Sequence, residues 1–396
     1  MKYDFDAPVD RRGTDSLKWD GMRRYYGRED LMPFWVADMD FRTPPFILEA
    51  LRERLSHEVL GYSVKSEAYF GSIVQWARER YGWAVEAKWI HFMSGVVPGL
   101  ALAMQYFTRE GDKILVMPPI YHPFHLLPTH NGREVVWSAL DYEDGVYCFN
   151  VARFREDVKG CKLFFLCNPH NPAGKVWTTD ELRLMAAICA EEGVVVCSDE
   201  IHADLTFAPH KHTPFATVSE AARMNSITYQ APSKAFNIPG MASAHCLIPN
   251  SSLRRGFYAY LDSNELADGT ALAWRATTAA YTHGAEWLGQ MLDYVWGNIQ
   301  MVAQFCQQEM PQIRPVLPEA SYLVFLDCRA LGLSQSELEH FFCATAGVAL
   351  NSGTIFGKEG AGFMRLNCGC PRAYLRQGLE RIAAAINKNS KFACGM

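Results

Sequence analysis

The strongest constraint on the fold is a series of short, almost uninterrupted apolar runs through the middle of the chain. They are ILVM (114–117), EVVWS (134–138), KLFFLC (162–167), VVVCS (194–198), SITYQ (226–230) and AHCLI (244–248). Their β-branched and aromatic residues read as strands, and the lack of polar alternation means that both faces are covered, as in a parallel sheet between layers of helix. Between two of these runs lies TTDELRLMAAICAEEG, where Thr178 and Glu181 form a capping box and Gly193 closes the helix. Strand, helix and strand in that order make a βαβ unit and predict a largely parallel sheet. Upstream, Thr43 reads as a helix cap with Pro44 in the first turn of TPPFILEALRERL. Beyond residue 285 the texture changes to a long helical segment, then SYLVFLD, a helix capped at Ser334, VALN, GFMRLNC and a closing helix. The expected organisation is an N-terminal segment, 1–48, joining a small domain; a large domain, 49–285; and a small C-terminal α+β domain, 286–396.

Composition narrows the partners. The net charge is −5 and no long Lys/Arg run offers a track for phosphates, so a nucleic-acid partner is not expected. The start, MKYDFDAPVDRR, is charged, and no apolar run approaches the ~18 residues of a membrane span. A cytoplasmic protein without membrane contact is expected. The twelve cysteines run from Cys148 to Cys394, several inside strand-like segments, and read as reduced, buried thiols. Cys368 and Cys370 in NCGC have no second pair to complete a metal site, and no metal is expected.

In an open parallel sheet, ligands gather beyond the carboxyl ends of the strands. KLFFLC delivers NPHNPAG (168–174), VVVCS delivers DEIH (199–202), and SITYQ delivers APSKAFNIPG with Lys234 at its centre. Each has an ordinary reading alone: Asn171 as a turn residue, Asp199 as a cap, His202 as a structural histidine, Lys234 as a snorkelling surface group. Together they bring an amide, a carboxylate, an imidazole and an amine to one crevice. In FMSGVVPGLALAMQYF (92–107), the amides of Gly95, Val96 and Val97 stand at a helix start, where an anion is favoured.

These motifs, with PPIYHPF and MRLNCGCPR, resemble the fold type I pyridoxal-phosphate (PLP) enzymes of the class I/II aminotransferase superfamily. FDAPVDRRGTDSLKWD and FWVADMDF narrow the likeness, which spans nearly the whole chain, to the MalY/PatB-type cystathionine β-lyases. The resemblance implies an α/β fold: a large PLP-binding domain with a mostly parallel seven-stranded sheet, plus the smaller α+β domain. It implies that Lys234 holds PLP covalently, Asp199 pairs with the pyridine nitrogen, and Asn171 meets the ring hydroxyl and the substrate. His202 stands beside Asn171, where many relatives have Tyr, and Tyr121 stacks on the ring. Ser233 and the Gly95–Val97 amides take the phosphate, helped by Tyr62 of LGYSV from a neighbouring subunit, so a homodimer is implied. Arg365 grips the substrate carboxylate near the backbone of Val36 and Ala37. Ala231 and Ala242 depart from the pattern, replacing a Ser and an Arg that contact the phosphate in many relatives. The implied reaction is α,β-elimination from L-cystathionine or a related cysteine S-conjugate to a thiol, pyruvate and ammonia. An aminotransferase, or a regulatory protein retaining the fold, shares most of the motifs and stays open at this point.

Overall fold

The computed structural model describes residues 2–266 and 268–388. Its large sheet has seven strands: β1 (Ile90–Met93), β2 (Lys113–Val116), β3 (Glu134–Trp137), β4 (Cys161–Cys167), β5 (Val195–Asp199), β6 (Ser226–Gln230) and β7 (Ala244–Leu247). The spatial order is β1-β7-β6-β5-β4-β2-β3. Strands β3, β2, β4, β5 and β6 pair in parallel, while β7 runs antiparallel to both β6 and β1. Six of the seven were legible as apolar runs. The seventh, β1, is only IHFM, its apolar run broken by His91, and just Ser94 and Gly95 part it from the helix Val96–Phe107.

The reason β4 carries no polar alternation is visible in its packing. Phe164 and Leu166 join the cluster under the helix Thr179–Glu191, with Leu182 and Met185. Leu163, Phe165 and Cys167 point the other way, to Leu100 and Met104 of the helix Val96–Phe107. Both faces are dry, and the side-chain period of two sends successive apolar residues to different layers.

Helix ends follow local chemistry. The Thr178/Glu181 and Ser334/Glu337 capping boxes are both complete. The helix expected from Thr43 instead spans Pro45–Leu55, with Pro44 as its cap residue in extended conformation (ψ 135°). Pro44 and Pro45 lack the N–H that a cap would have to satisfy, so the helix starts without a side-chain cap. Thr43 instead donates to the carbonyl of Asn237 at 3.5 Å.

A second, four-stranded antiparallel sheet is built from Arg314–Val316, Leu323–Asp327, Phe363–Asn367 and Asn351–Ser352. The long helix Ala285–Glu309 and the helix Arg372–Lys388 share its core. Near the N-terminus, Met32–Pro33 pairs in parallel with Val348–Ala349, tying the first segment to this lobe. All eleven cysteines among the described residues are free; Cys394 lies outside them. Among the described residues no helix is long and apolar enough to cross a membrane.

One contact ties the first site helix to the sheet. Gly99 accepts a hydrogen bond from the Tyr229 hydroxyl at 3.0 Å, and a Cβ at Gly99 would lie 2.6 Å from the Tyr229 ring. Gly99→Ala therefore must push the helix Val96–Phe107 away from β6. The expected loss is about 1–3 kcal/mol, read as a lower midpoint in denaturant unfolding; Gly99→Ala with Tyr229→Phe does not restore it, because the clash is with ring carbons.

Candidate active site

Beyond the carboxyl ends of β4, β5 and β6, the structure encloses a cavity of about 190 Å³. It is lined by Ala37, Gly95, Val96, Val97, Tyr121, Asn171, Asp199, His202, Ser233 and Lys234, together with Ala231 and Ala242. Most of the residues singled out in the sequence therefore meet in one place.

Asp199 is the last residue of β5, opposite Cys167 on one side and Tyr229 on the other. The turn that follows is held by Glu200, a buried carboxylate that accepts from Ser198 Oγ (2.9 Å), the Phe215 amide (2.8 Å), His212 Nε2 (2.9 Å) and Gln230 Nε2 (3.2 Å). That many donors on one acid makes the turn rigid and aims Asp199 into the cavity. One Asp199 oxygen accepts from the Ile201 amide at 3.0 Å. Burial pushes the carboxyl up to about 7, against the pull of the Ile201 amide and of Lys234.

Lys234 is half-buried and donates to the Ala37 carbonyl at 2.7 Å. Burial brings its amine down to about 8; Asp38 opposes that shift, and Arg365 adds to it. The imidazole of His202 is buried, its Nδ1 finds no protein partner, and burial followed by the Lys234 and Arg365 charges takes it down to about 3. It is thus neutral, with a free polar atom at the cavity wall.

Arg365, in the strand Phe363–Asn367, is buried beside this cavity. Its guanidinium donates to Asn171 Oδ1 (3.3 Å), Asn351 Oδ1 (2.7 Å) and the Trp35 carbonyl (3.1 Å), and sits 4.8 Å from the Phe356 ring centroid. None of these partners is an acid, and Nε is left without one. A buried cation held by neutral groups is costly unless an anion arrives, and the guanidinium fork matches a carboxylate.

At the other wall, Gly95 caps the helix Val96–Phe107, so the free amides of its first turn face the cavity beside Ser233. Ala231 and Ala242 also line this wall and supply no polar side chain. Ala37 lines the cavity but Val36 beside it does not; the Val36 carbonyl accepts from Asn367 Nδ2 at 2.6 Å. Tyr62 is not in the cavity: it is fully exposed on a loop with Val59, Leu60 and Val64. Sequence reasoning missed Asn351, whose role comes from lying opposite Arg365 in the small sheet, and Ser243, which lines the cavity after the left-handed residue Ala242. Neither carries a local motif.

The donor set suits a flat, anionic aromatic ligand: an acid at one end for a ring nitrogen, helix amides for a phosphate, a tyrosine face, and an amine of lowered basicity. The family model for aminotransferases of class I and II matches residues 29–382. Cystathionine beta-lyase PatB of Bacillus subtilis (strain 168) is 42% identical, the match covering 97% of this chain and all of the relative. Among solved structures, a PLP-bound putative aminotransferase from Clostridium difficile 630 superposes with a TM-score of 0.95 at 38% identity, over 97% of this chain and 100% of that one. Cystalysin from Treponema denticola, described as containing a pyridoxal 5'-phosphate cofactor, gives 0.94 at 33% identity, over 98% and 99%.

The raised Asp199 carboxyl is also a statement about stability. Between its ordinary value of 3.8 and about 7 the folded chain keeps a proton that the unfolded chain has lost, so this group lowers stability as pH rises through that window. Asp199→Asn removes the cost. The cofactor-free variant should melt a few degrees higher than the parent at about pH 8, with the gain fading toward about pH 4. Calorimetry across that range checks it.

Proposed function

Because this chain belongs to the class I and II aminotransferase family, we propose that it is a PLP-dependent carbon–sulfur β-lyase acting on L-cystathionine or a related cysteine S-conjugate. The observation that carries this reading is the pairing of a low-basicity lysine and a buried carboxylate across one cavity, bordered by an arginine that lacks an acid partner. The full-length likeness to a protein named cystathionine beta-lyase favours elimination over amino-group transfer.

PLP, when bound, supplies the electron sink for the carbanion formed at the substrate Cα. Lys234 would hold it. Asp199 would keep a proton on its ring nitrogen, which the ring needs to draw electrons, and that ion pair would repay the carboxylate for its burial. Asn171 and the neutral His202, which line the cavity, would offer polar atoms to the ring hydroxyl, and Tyr121 would offer the ring a face. The Gly95–Val97 amides and Ser233 would take the phosphate, carrying more of that load because Ala231 and Ala242 contribute no donor.

Arg365 grips the substrate carboxylate and so decides which bond at Cα stands perpendicular to the ring plane. Once the substrate's own amino group has taken its place on the cofactor, the freed Lys234 amine, which burial holds near 8 rather than the usual 10.5, would accept the Cα proton. Loss of the Cβ–S bond then releases the thiol, and the three-carbon remainder hydrolyses to pyruvate and ammonia. The free, mostly buried thiols suit a reducing compartment and support a cytoplasmic location.

Exposure of Tyr62 amid Leu55, Val59, Leu60 and Val64 supports a homodimer in which this loop completes the neighbouring site. Three measurements follow. With L-cystathionine alone, the protein should yield thiol and pyruvate in equal amounts; turnover that requires a 2-oxo acid acceptor and frees no thiol would establish the aminotransferase instead. Lys234→Ala should lose at least about 10³-fold in turnover together with the visible absorbance of the bound cofactor. Lastly, mixing Lys234→Ala with Tyr62→Ala, each impaired alone, should recover up to about a quarter of the parental activity after subunit exchange; no recovery would place Tyr62 outside the active site.

A further inference from the structure

The segment Trp35–Asp40 reaches the site through Ala37, and its carbonyls are held by side chains, while the Asp40 amide donates to the Gly369 carbonyl at 2.8 Å. The Trp35 carbonyl accepts from Arg365 (3.1 Å), and those of Val36 and Asp38 from Asn367 (2.6 and 2.7 Å). Ala37 accepts from Lys234 (2.7 Å) and Tyr322 (3.0 Å), and Met39 from Asn237 (2.8 Å) and Arg11 (3.3 Å). Its two carboxylates are held from outside by cations of the N-terminal stretch. Arg11 forks onto Asp38 at 2.6 and 3.1 Å and reaches Asp40 at 2.7 Å, while the fully buried Lys18 meets Asp40 at 2.5 Å. Trp19 Nε1 adds a bond to Asp40 (2.9 Å), and Trp35 Nε1 returns one to the Lys18 carbonyl (3.1 Å).

An ion cluster this well ordered is a poor source of net stability, since burying the charges offsets most of their attraction, but it is an effective way to fix geometry. We propose that Arg11 is a positioning residue for Lys234: by clamping Asp38 it fixes the 35–40 segment, so that the Ala37 carbonyl and the Asp38 carboxylate are presented to the lysine amine. This rests on the reading of Lys234 as the cofactor-bearing base. The charged and titratable groups acting around that amine are Asp38 from the segment, Asp199 and His202 from the end of β5, and Arg365 and Tyr322 from the small lobe. After burial, Asp38 is the strongest of the influences on Lys234, ahead of Arg365 and Asp199. It favours the protonated amine and so opposes burial. The clamp thereby sets how much neutral amine the site holds at a given pH.

The test follows capture of PLP by the cofactor-stripped full-length chain, read from visible absorbance between about pH 6 and 10, alongside the pH profile of kcat/KM of the loaded enzyme. Capture by the parent protein tests the cofactor assignment itself; failure there sinks that reading. Given capture, Asp38→Asn should move the pH midpoint down by about 0.5–1 unit, making capture below the midpoint about three- to tenfold faster. Arg11→Met should shift it in the same direction, Arg11→Lys should restore part of the parental value, and Arg11→Met with Asp38→Asn should shift it no further than Asp38→Asn alone. The proposal is overturned if Arg11→Met lowers thermal stability while leaving the midpoint in place, moves it upward, or adds to Asp38→Asn in full. Asp38→Asn preserves shape, so it keeps the test decisive if Arg11→Met does not fold; an unmoved midpoint there also overturns the proposal.

Discussion

Asp199, Lys234 and Arg365 are taken out of water by the fold without being neutralised by it. Burial raises the first, lowers the second and lowers the third to about 10, and no one of them forms an ion pair with another. In water these groups would be fully hydrated and chemically ordinary; here each keeps an unmet demand for a partner of definite charge. The acid asks for a cation, the guanidinium for a carboxylate, and the amine is ready to be neutral. The PLP ring and amino-acid substrate proposed above would meet all three demands at once.

Maintaining such an arrangement requires a rigid frame. The large sheet supplies it through strands buried on both faces, where alternate side chains of β4 enter opposite cores. Rigidity at the strand ends comes from polar groups that are themselves satisfied: Glu200 with its four close donors behind Asp199, and Asn367 bridging the carbonyls of Val36 and Asp38. These spend their hydrogen bonds on the frame around the cavity, which leaves Asp199, Lys234 and Arg365 unspent. The small sheet and the N-terminal stretch then close the cavity from above, bringing Arg365 and Ala37 to a lysine nearly two hundred residues from the latter.

Much of this was legible beforehand. Apolar runs without alternation placed six strands, and the Thr178/Glu181 and Ser334 caps placed helix starts, because each depends on neighbours within a turn or two of chain. The reading failed where local chemistry was silent or double. β1 is four residues with a histidine inside it, and the proline pair at 44–45 let the helix begin one residue later, without Thr43. Tyr62 is exposed on a loop outside the cavity, and the fold of the chain by itself gives it no part in the site.

By itself, then, the amino-acid order determined which residue types stand at strand ends and helix starts, and through its motifs the family and the cofactor, since periodicity and turn chemistry are properties of adjacent residues. Only the tertiary structure decided that Asn351 opposes Arg365, that the Arg365 guanidinium has no acid partner, and that Arg11 and Lys18 bind the carboxylates of the segment over Lys234. The physical reason is that burial and charge pairing depend on distances between remote parts of the chain, and those distances do not exist until two lobes and an N-terminal strap pack around one cavity.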